Sequence, residues 1–403
     1  MISRSFAMVT TFYPPENFGG DGLFVERLSR ALVRRGHRVT VIACHDAFRI
    51  CGGTTTAQES ERSPDGPAVV RLRSPFGPLS PLATQMTGRP FFKTRALEEA
   101  LSAGVFDVVH FHNISLVGGP GVLALGRPAL KLYTLHEHWL LCPTHVFWKE
   151  KRKRCDGKTC FSCQIVSGRP PQLWRYGSLV RAALENVDLL LSPSSFTRDL
   201  HKAEGIGRPI RVLPLFVPDA PARAAVPPRA AFLYAGRLDA SKGPDALVAA
   251  GKGLDAEIRI AGAGPMEEEL ASRARGLSNV TLLGRLTPER VGEEMARARA
   301  VILPSRCLET FGLTAAEAML RGVPVVARRR GGLEEIVRES GGGLLFEDDA
   351  ELPALLARLA KDPALAEDMG ARGRQAALRL WTEESHLAAY LDEVETRLSA
   401  KAP

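Results

Sequence analysis

The stretch AFLYAGRLDASKGPDALVAAGKGLDAEIRIAGAGP, residues 231–265, decides the fold that the sequence predicts. It begins with a short apolar run typical of a buried strand, then passes through a glycine-containing turn at 236–243 and a helical segment. A second apolar run at 257–261 closes the stretch. Strand, crossover helix and strand form a βαβ unit, which requires a parallel sheet covered by helices. Later apolar runs extend this sheet, at 280–283, 300–303, 323–327 and 343–346.

The amino-terminal half repeats the pattern. An apolar run at 6–11, a Pro-Gly loop at 13–22, a helix and a run at 39–43 form another βαβ unit. We therefore expect an α/β protein with two Rossmann-like parallel-sheet domains facing across a cleft. The expected parts are an N-terminal domain at 1–208, a proline-rich linker at 209–228, a C-terminal domain at 229–380 and a helix at 381–403 that packs back on the N-terminal domain.

Composition restricts the class of partner. The 403 residues are 45% hydrophobic and 24% charged, as in soluble globular proteins, and the formal net charge is +8. That charge favours anionic partners, but no zinc-finger, basic-zipper or RNA-recognition pattern is present, so nucleic acid is not expected. No apolar run reaches about 18 residues, and the start lacks the apolar core of a signal peptide. We expect a cytoplasmic protein whose membrane contact, if any, is peripheral and at the inner face.

The segment CLETFGLTAAEAMLRG, residues 307–322, combines two acids with a helix start. Glu309 precedes a helix that should begin near Leu313, and Glu317 lies inside it. The amides of Gly312 and Leu313 then open the helix and attract an anion. A carboxylate such as Glu317 accepts hydrogen bonds from sugar hydroxyls. The pattern thus suits a ligand with phosphate and hydroxyl groups, although a surface helix with two solvated glutamates would look the same.

The turn at 236–243 carries two cations, Arg237 and Lys242. Two cations at one turn can neutralise a diphosphate leaving group without a metal. Exposed side chains in a loop are the alternative. The glycine-rich turn at 261–265 follows the next strand and is, by itself, only a tight turn.

Taken in order over about 110 residues, these motifs resemble glycosyltransferase family 4. The matching strings are YAGRL (234–238), KG (242–243), AGAGP (261–265), ETFGL (309–313), EA (317–318) and GVPVV (322–326), followed by GG (331–332) and EIV (335–337). The resemblance implies a GT-B fold and a retaining transfer from a nucleotide sugar. It assigns Arg237 and Lys242 to the donor diphosphate, Glu309 to the donor sugar, the amides of Gly312 and Leu313 to the phosphate, and Glu317 to the ribose.

The resemblance extends to the amino-terminal half. Gly20 would let its loop approach the donor phosphates or the transferred sugar, and a purely structural turn is the alternative. His112 ends a strand at 107–113 and would lie beside the donor sugar, whereas His110 is expected to be structural. His136 and Glu137 follow the next strand and are candidates for the acceptor side, with a hydrogen-bonded surface histidine as the alternative.

The insertion at 142–163 carries four cysteines, Cys142, Cys155, Cys160 and Cys163. Four thiolates can form a tetrahedral structural zinc site, and we favour this interpretation over reduced thiols or an iron–sulfur site. The family does not generally need such a cluster, so we expect it to shape an acceptor loop. A basic run at 148–154 is either a solvated loop or a contact for anionic lipid headgroups or a lipid-diphosphate acceptor.

The sequence therefore predicts a retaining glycosyltransferase that moves a sugar from a nucleotide diphosphate sugar to a glycan or lipid-linked acceptor. Glu309, His112, Lys242 and Arg237 form the expected catalytic group. No Asp-x-Asp pair is present, so no cofactor or metal is expected in catalysis. The alternatives are a nucleotide-sugar epimerase of the same fold and a non-catalytic nucleotide-sugar binding module. Neither the sugar, the base nor the acceptor can be read from the sequence.

Overall fold

Two compact units make up the chain. The structure, a computed structural model, describes residues 2–54, 60–61, 65–222 and 230–401. Unit 1 comprises Met1–His145, Lys158–Leu213 and His386–Pro403, and unit 2 comprises Val146–Gly157 and Pro214–Ser385.

Unit 1 is built on an eight-stranded sheet in the order β10-β9-β6-β5-β1-β2-β4-β3. All its pairings are parallel except that of the short edge strand β3 with β4. The strands are β1 (Ser5–Val9), β2 (Arg38–Cys44), β3 (Ser60–Glu61), β4 (Ala68–Leu72), β5 (Val108–Phe111), β6 (Leu130–Thr134), β9 (Leu189–Ser192) and β10 (Ile210–Val212), with the separate hairpin β7 (Trp148–Lys149) and β8 (Lys153–Arg154) in unit 2.

The central strands of this sheet are buried at every position and are continuous apolar runs instead of alternating ones. Both faces of the sheet must therefore be covered, and helices cover them. The helices are α1 (Gly20–Arg34), α2 (His45–Ile50), α3 (Leu79–Thr87), α4 (Thr94–Ser102), α5 (Cys160–Val166), α6 (Leu179–Leu184) and α7 (Ser195–Ala203). The core includes Phe111 and Trp139, each at most 1% exposed.

Unit 2 contains a six-stranded parallel sheet in the order β13-β12-β11-β14-β15-β16. Its strands are β11 (Phe232–Ala235), β12 (Ile258–Ala261), β13 (Val280–Gly284), β14 (Ala300–Leu303), β15 (Val325–Arg328) and β16 (Gly343–Phe346). Its helices are α8 (Asp245–Ala250), α9 (Glu267–Ala274), α10 (Pro288–Arg297), α11 (Leu313–Leu320), α12 (Gly332–Ser340), α13 (Leu352–Lys361) and α14 (Pro363–Leu380). The last helix, α15 (Glu383–Lys401), follows, and its residues from His386 onward belong to unit 1. The two parallel-sheet α/β domains predicted from the sequence are confirmed.

Three local expectations differ from the structure. The predicted linker at 209–228 begins with β10, because Ile210 and Val212 pair with β9, and its residues 223–229 lie outside the described part of the chain. The insertion at 142–163 does not belong wholly to the N-terminal domain: Val146–Gly157 belongs to unit 2, where the Leu308 amide donates to the Val146 carbonyl (3.3 Å).

The segment at 75–88 contains prolines and glycines, so the sequence predicts a loop there, but helix α3 replaces most of it. The buried ammonium of Lys93 donates to Ser80 Oγ (3.0 Å) and Thr84 Oγ1 (3.2 Å), and these polar contacts fix the helix where the apolar pattern is weak. No helix within the described residues has the length and apolar character that crossing a bilayer requires.

Candidate functional site

The strand order of unit 2 reverses between β11 and β14, which are neighbours in the sheet although about 65 residues separate them in sequence. In open parallel sheets, ligands bind outside the carboxyl ends of the strands at such a reversal. The loop after β11 carries Arg237 and Lys242, and the loop after β14 carries Glu309. The fold therefore places three of the predicted site residues at its most suitable edge.

Lys242 and Glu309 form an ion pair in which Lys242 Nζ donates to Glu309 Oε1 at 2.5 Å. Ser305 Oγ donates to the same oxygen at 2.6 Å. Burial disfavours both charges, but the opposite charge outweighs it, so the pKa of Lys242 is raised and the pKa of Glu309 is lowered. Both groups are thus charged at neutral pH, and both side chains stay about a quarter exposed.

Arg237 lies in the same charged group. Its Nε is 2.5 Å from Asp239 Oδ2, and its side chain is 63% exposed. The Tyr234 hydroxyl donates to the Arg237 carbonyl at 2.7 Å. Burial raises the pKa of Tyr234, and the charges of Lys242, Asp239, Glu309 and Arg237 all act on this one phenol. The structure therefore places the two predicted cations on one turn, where the Lys242 amide donates to the Asp239 carbonyl (3.0 Å), with an acid beside each cation.

Two glycines let the loops approach closely. Gly262 has φ 151°, and a Cβ there would lie 1.9 Å from the Gly236 carbonyl oxygen, so the turns after β11 and β12 touch through their backbones. Gly312 has φ 117°, and a Cβ there would lie 2.6 Å from Leu333 Cδ2. Only glycine fits these positions without strain.

Helix α11 begins directly after Gly312, its N-cap. The amides of Leu313 and Thr314 are the first of the helix and have no acceptor within it. The Glu309 carbonyl accepts from the Gly332 amide at 2.7 Å, so the starts of α11 and α12 are joined through the loop that carries Glu309. Two helix starts beside the Lys242–Glu309 pair form an environment suited to a phosphate group.

A pocket of about 240 Å³ lies at the same edge of the sheet. Its lining includes Gly236 after β11, Gly262 after β12, Arg285 after β13, and Thr314 and Glu317 of α11. Glu317 therefore lines a cavity, and the cavity extends from the turn after β11 to the first turns of α11. It combines apolar walls with a carboxylate and a guanidinium, as small-molecule sites do.

Unit 1 has its own reversal, between β1 and β5. His112 follows β5 and His136 follows β6, and His112 Nδ1 shares a 2.9 Å hydrogen bond with His136 Nε2. His112 is 1% exposed, and its Nε2 has no hydrogen-bond partner among the described residues. Burial lowers the pKa of His112 well below its usual value and that of His136 to about 3, so both rings are neutral at physiological pH.

The neighbouring His110 has a structural environment. Its Nδ1 is hydrogen-bonded to the Tyr390 hydroxyl (3.0 Å) of α15 and its Nε2 to Thr134 Oγ1 (2.7 Å). Both ring nitrogens are therefore occupied, and the ring is 1% exposed.

Gly20 begins α1, one residue before Asp21, whose Oδ2 accepts from Asn113 Nδ2 at 2.9 Å. Burial, followed by the Glu137 charge, raises the pKa of Asp21. Glu137 Oε1 lies 2.6 Å from His145 Nδ1, with both side chains partly exposed. Gly20, His112, His136 and Glu137 are thus all at the carboxyl edge of the unit 1 sheet. The strained glycine of this loop is Gly19 (φ 118°) and not Gly20.

The four cysteines of the insertion are divided between the two units. Cys142, Cys160 and Cys163 belong to unit 1, whereas Cys155 belongs to unit 2. Within the described ranges, which include all four cysteines, no three His, Cys, Asp or Glu side chains form a group that could hold a metal ion. As placed, the residues do not fit a zinc site, and the zinc assignment stays a prediction.

Sequence reasoning missed Asp239, Ser305 and Arg285. Asp239 lies within the turn that already held the two cations, and Arg285 directly follows a strand end, so strand position was an available signal for both. Ser305 had no such signal, because only the hydrogen bond to Glu309 distinguishes it from other serines.

Comparison with known proteins agrees with this geometry. Residues 18–220 match the family model described as Glycosyltransferase Family 4, and residues 221–376 match that of Glycosyl transferases group 1. A relative from Xylanimonas cellulosilytica, D-inositol 3-phosphate glycosyltransferase, is 29% identical, over 93% of this chain and 91% of its own length.

Two solved structures are similar over almost the whole chain. Sucrose-phosphate synthase from Thermosynechococcus elongatus has a TM-score of 0.77 at 21% identity, covering 99% of this chain and all of the other. HepE from Anabaena, in complex with UDP, has a TM-score of 0.65 at 17% identity, covering 98% of this chain and all of the other. At these identities the likeness shows the fold, which is that of GT-B glycosyltransferases.

Proposed function

This chain belongs to glycosyltransferase family 4, and we propose that it is a retaining hexosyltransferase that uses a nucleotide diphosphate sugar. The acceptor is a glycan or a lipid-linked glycan. The observation that carries this proposal is the grouping in unit 2 of Arg237, the Lys242–Glu309 pair and the start of α11 beside the pocket lined by Glu317.

Each part of the donor has a proposed partner. The nucleoside occupies the pocket, where Glu317 accepts hydrogen bonds from the ribose hydroxyls. The diphosphate lies against the amides of Gly312 and Leu313 and between Arg237 and Lys242. Glu309, held by Lys242 and Ser305, contacts the sugar. This placement leaves the leaving-group charge surrounded by cations and helix starts.

Charge grows on the diphosphate as the bond from the anomeric carbon to the phosphate oxygen breaks. Arg237 and Lys242 stabilise that charge, and such preorganised groups typically contribute a factor of about 10²–10³ each. The acceptor oxygen bonds to the anomeric carbon on the same face, and its proton passes to the departing phosphate oxygen. We assign His112, which is neutral and whose buried Nε2 has no hydrogen-bond partner among the described residues, to orienting the reacting groups.

Acceptor contacts are proposed on unit 1, at His136 and Glu137. Catalysis is proposed to need no metal, because two cations and a helix start supply the charge that a divalent ion would supply. Excess chelator should then leave the transfer rate unchanged. A separate measurement of zinc content, on the parent chain and on Cys160→Ser, tests the structural zinc prediction.

A thermal-shift panel of nucleoside diphosphates and their sugars tests donor binding, because a ligand that binds the native state raises the melting temperature. The panel identifies the donor, and proton NMR of the product then reports the anomeric configuration. Retention supports the proposal, and inversion refutes the mechanism. An isomerised donor without acceptor would indicate an epimerase, and binding without turnover on any acceptor would indicate a binding module.

A further inference from the structure

Unit 1 exposes an unusual number of large apolar side chains in two segments of sequence. Ten of the fifteen such side chains that are exposed in the described residues lie between 76 and 92 or between 161 and 176. They form what we call the apolar patch: Phe76, Leu79, Met86, Phe91, Phe92, Phe161, Ile165, Val166, Leu173 and Tyr176. Scattered exposed apolar residues need no explanation, but a concentration of this kind does.

Buried glutamines tie the two segments together. Gln85 of α3 donates from Nε2 to the Pro170 carbonyl (3.2 Å), and its Oε1 accepts from Gln172 Nε2 (2.7 Å). The Gln172 amide in turn donates to Gln164 Oε1 (3.0 Å) of α5, and Trp174 Nε1 donates to the Gln85 carbonyl (3.0 Å). These hydrogen bonds therefore hold the two segments next to each other.

The patch also has internal order. Leu79 and Met86 lie seven residues apart on α3 and so share one face of the helix, which is more than half exposed at both positions. The Phe76 and Phe92 rings stack with centroids 4.2 Å apart, and Phe91 packs edge-on against Phe92 at 4.7 Å. These aromatic side chains are held in place while still facing solvent.

Within the two segments that carry the patch, the charges have one sign. Residues 66–97 and 157–184 contain no aspartate or glutamate. Their basic residues are Arg71, Arg73, Arg89, Lys93, Arg95, Lys158, Arg169, Arg175 and Arg181. Six of them are exposed: Arg73, Arg89, Arg95, Lys158, Arg169 and Arg181. Two of the six pair with acids outside the segments, Arg95 with Glu99 and Lys158 with Glu204. A protein partner would typically present both signs, whereas an anionic bilayer presents one.

We propose that the apolar patch docks unit 1 on an anionic phospholipid bilayer, with the apolar side chains entering the interface and the arginines contacting lipid phosphates. The segments of the patch follow the carboxyl ends of β4 and β6, so they lie at the sheet edge that also carries His112 and His136. An acceptor carried by the membrane would reach this edge. Only this last point rests on the proposed function.

Vesicle flotation without any sugar donor tests the docking. The full chain should float with phosphatidylcholine vesicles that contain phosphatidylglycerol and not with phosphatidylcholine alone. Binding should weaken from 0.1 M to 1 M salt, as the screening length falls from about 10 Å to about 3 Å. Leu79→Asp and Met86→Asp should each reduce the partition coefficient about tenfold, and Arg89→Gln should reduce it about fivefold.

Val105→Asp is the matched control. Val105 is 92% exposed in unit 1 but precedes β5, at the opposite edge of the sheet, so this variant should bind like the parent. All these side chains are exposed, and unchanged melting temperatures would show that the variants fold. Equal binding of folded Met86→Asp and parent, or equal binding to neutral and anionic vesicles, would overturn the proposal. So would a dimer that Leu79→Asp dissociates, because the patch would then be covered by a second copy. Failure in any of these ways would leave the transferase proposal standing, since no donor is used.

Discussion

Replacing Lys242 by alanine should affect turnover far more than folding. The substitution removes the Lys242 partner of Glu309 Oε1 and leaves the hydrogen bond from Ser305. Exposed ion pairs contribute at most about 1 kcal/mol, whereas breaking a fully buried pair costs about 3–5 kcal/mol. This pair is about a quarter exposed, so we expect a loss of about 2 kcal/mol. For a unit of this size, that lowers the melting temperature by about 4–8 °C.

The loss of stability in Lys242→Ala should depend on pH in a defined direction. Lys242 holds the pKa of Glu309 below its usual value, so the stability from the pair is present above the unfolded-state pKa of about 4.3. It disappears as the pH falls through the lower folded-state pKa. Without Lys242, burial raises the pKa of Glu309. The gap in melting temperature between parent and variant should therefore be largest near pH 7.5 and shrink below pH about 4.3.

Differential scanning fluorimetry across pH measures the stability gap, and the turnover number with the donor found by the thermal-shift panel measures catalysis. Turnover should fall about 10²–10³-fold. Lys252→Ala is the matched control, since Lys252 is an exposed lysine of the same unit, and it should change neither quantity. Full turnover in Lys242→Ala, or a gap of the same size at pH 4 and pH 7.5, would refute the assignment.

Three further predictions concern single contacts. Gly262→Ala should destabilise unit 2 by about 3 kcal/mol or more and abolish the nucleotide-induced thermal shift, because its Cβ meets the Gly236 carbonyl oxygen. Gly253→Ala, also at positive φ but in open space, should cost only about 1 kcal/mol, and similar melting temperatures for the two would contradict the reasoning. Below pH about 6.5 the unfolded chain protonates His136 while the folded chain, with the pKa of His136 at about 3, does not, so stability should decline on acidification. In His136→Gln, the free energy of unfolding measured by chemical denaturation should decline less steeply as the pH falls. An unchanged pH dependence in this variant would contradict the role given to His136. Tyr390→Phe removes the hydroxyl bonded to His110 and should cost about 1 kcal/mol, measured against the exposed Tyr176→Phe as a neutral control. Identical stability of both variants would show that this bond contributes nothing.

Local sequence patterns were sufficient for most of the elements, and the donor-side residues that they indicate stay a prediction. Apolar runs separated by glycine-containing turns indicate strands and crossovers, because burial on both faces demands such runs. The helix start at Gly312 and the cations at 237 and 242 were visible as residue types at set positions relative to predicted strands. The same patterns failed for α3, where buried polar contacts from Lys93 replace the apolar periodicity on which prediction depends.

Pairings between distant segments were beyond the sequence. No local sequence pattern predicts that the hairpin of β7 and β8 belongs to unit 2. Its segment is attached there in part by a hydrogen bond from the Leu308 amide to the Val146 carbonyl, and these two residues are far apart in sequence. Nor does spacing reveal that Cys155 belongs to a different unit from the other three cysteines of the insertion.

The sequence by itself determined the two βαβ-based domains and the residue types available to the proposed donor site, because strand periodicity and turn glycines act over a few residues. Only the tertiary structure decided that Lys242 and Glu309 form one ion pair, that Ser305 supports it, and that Tyr390 of α15 reaches His110. The physical reason is strand order: β11 and β14 become neighbours through the packing of the whole sheet, and no property of either loop alone encodes that adjacency.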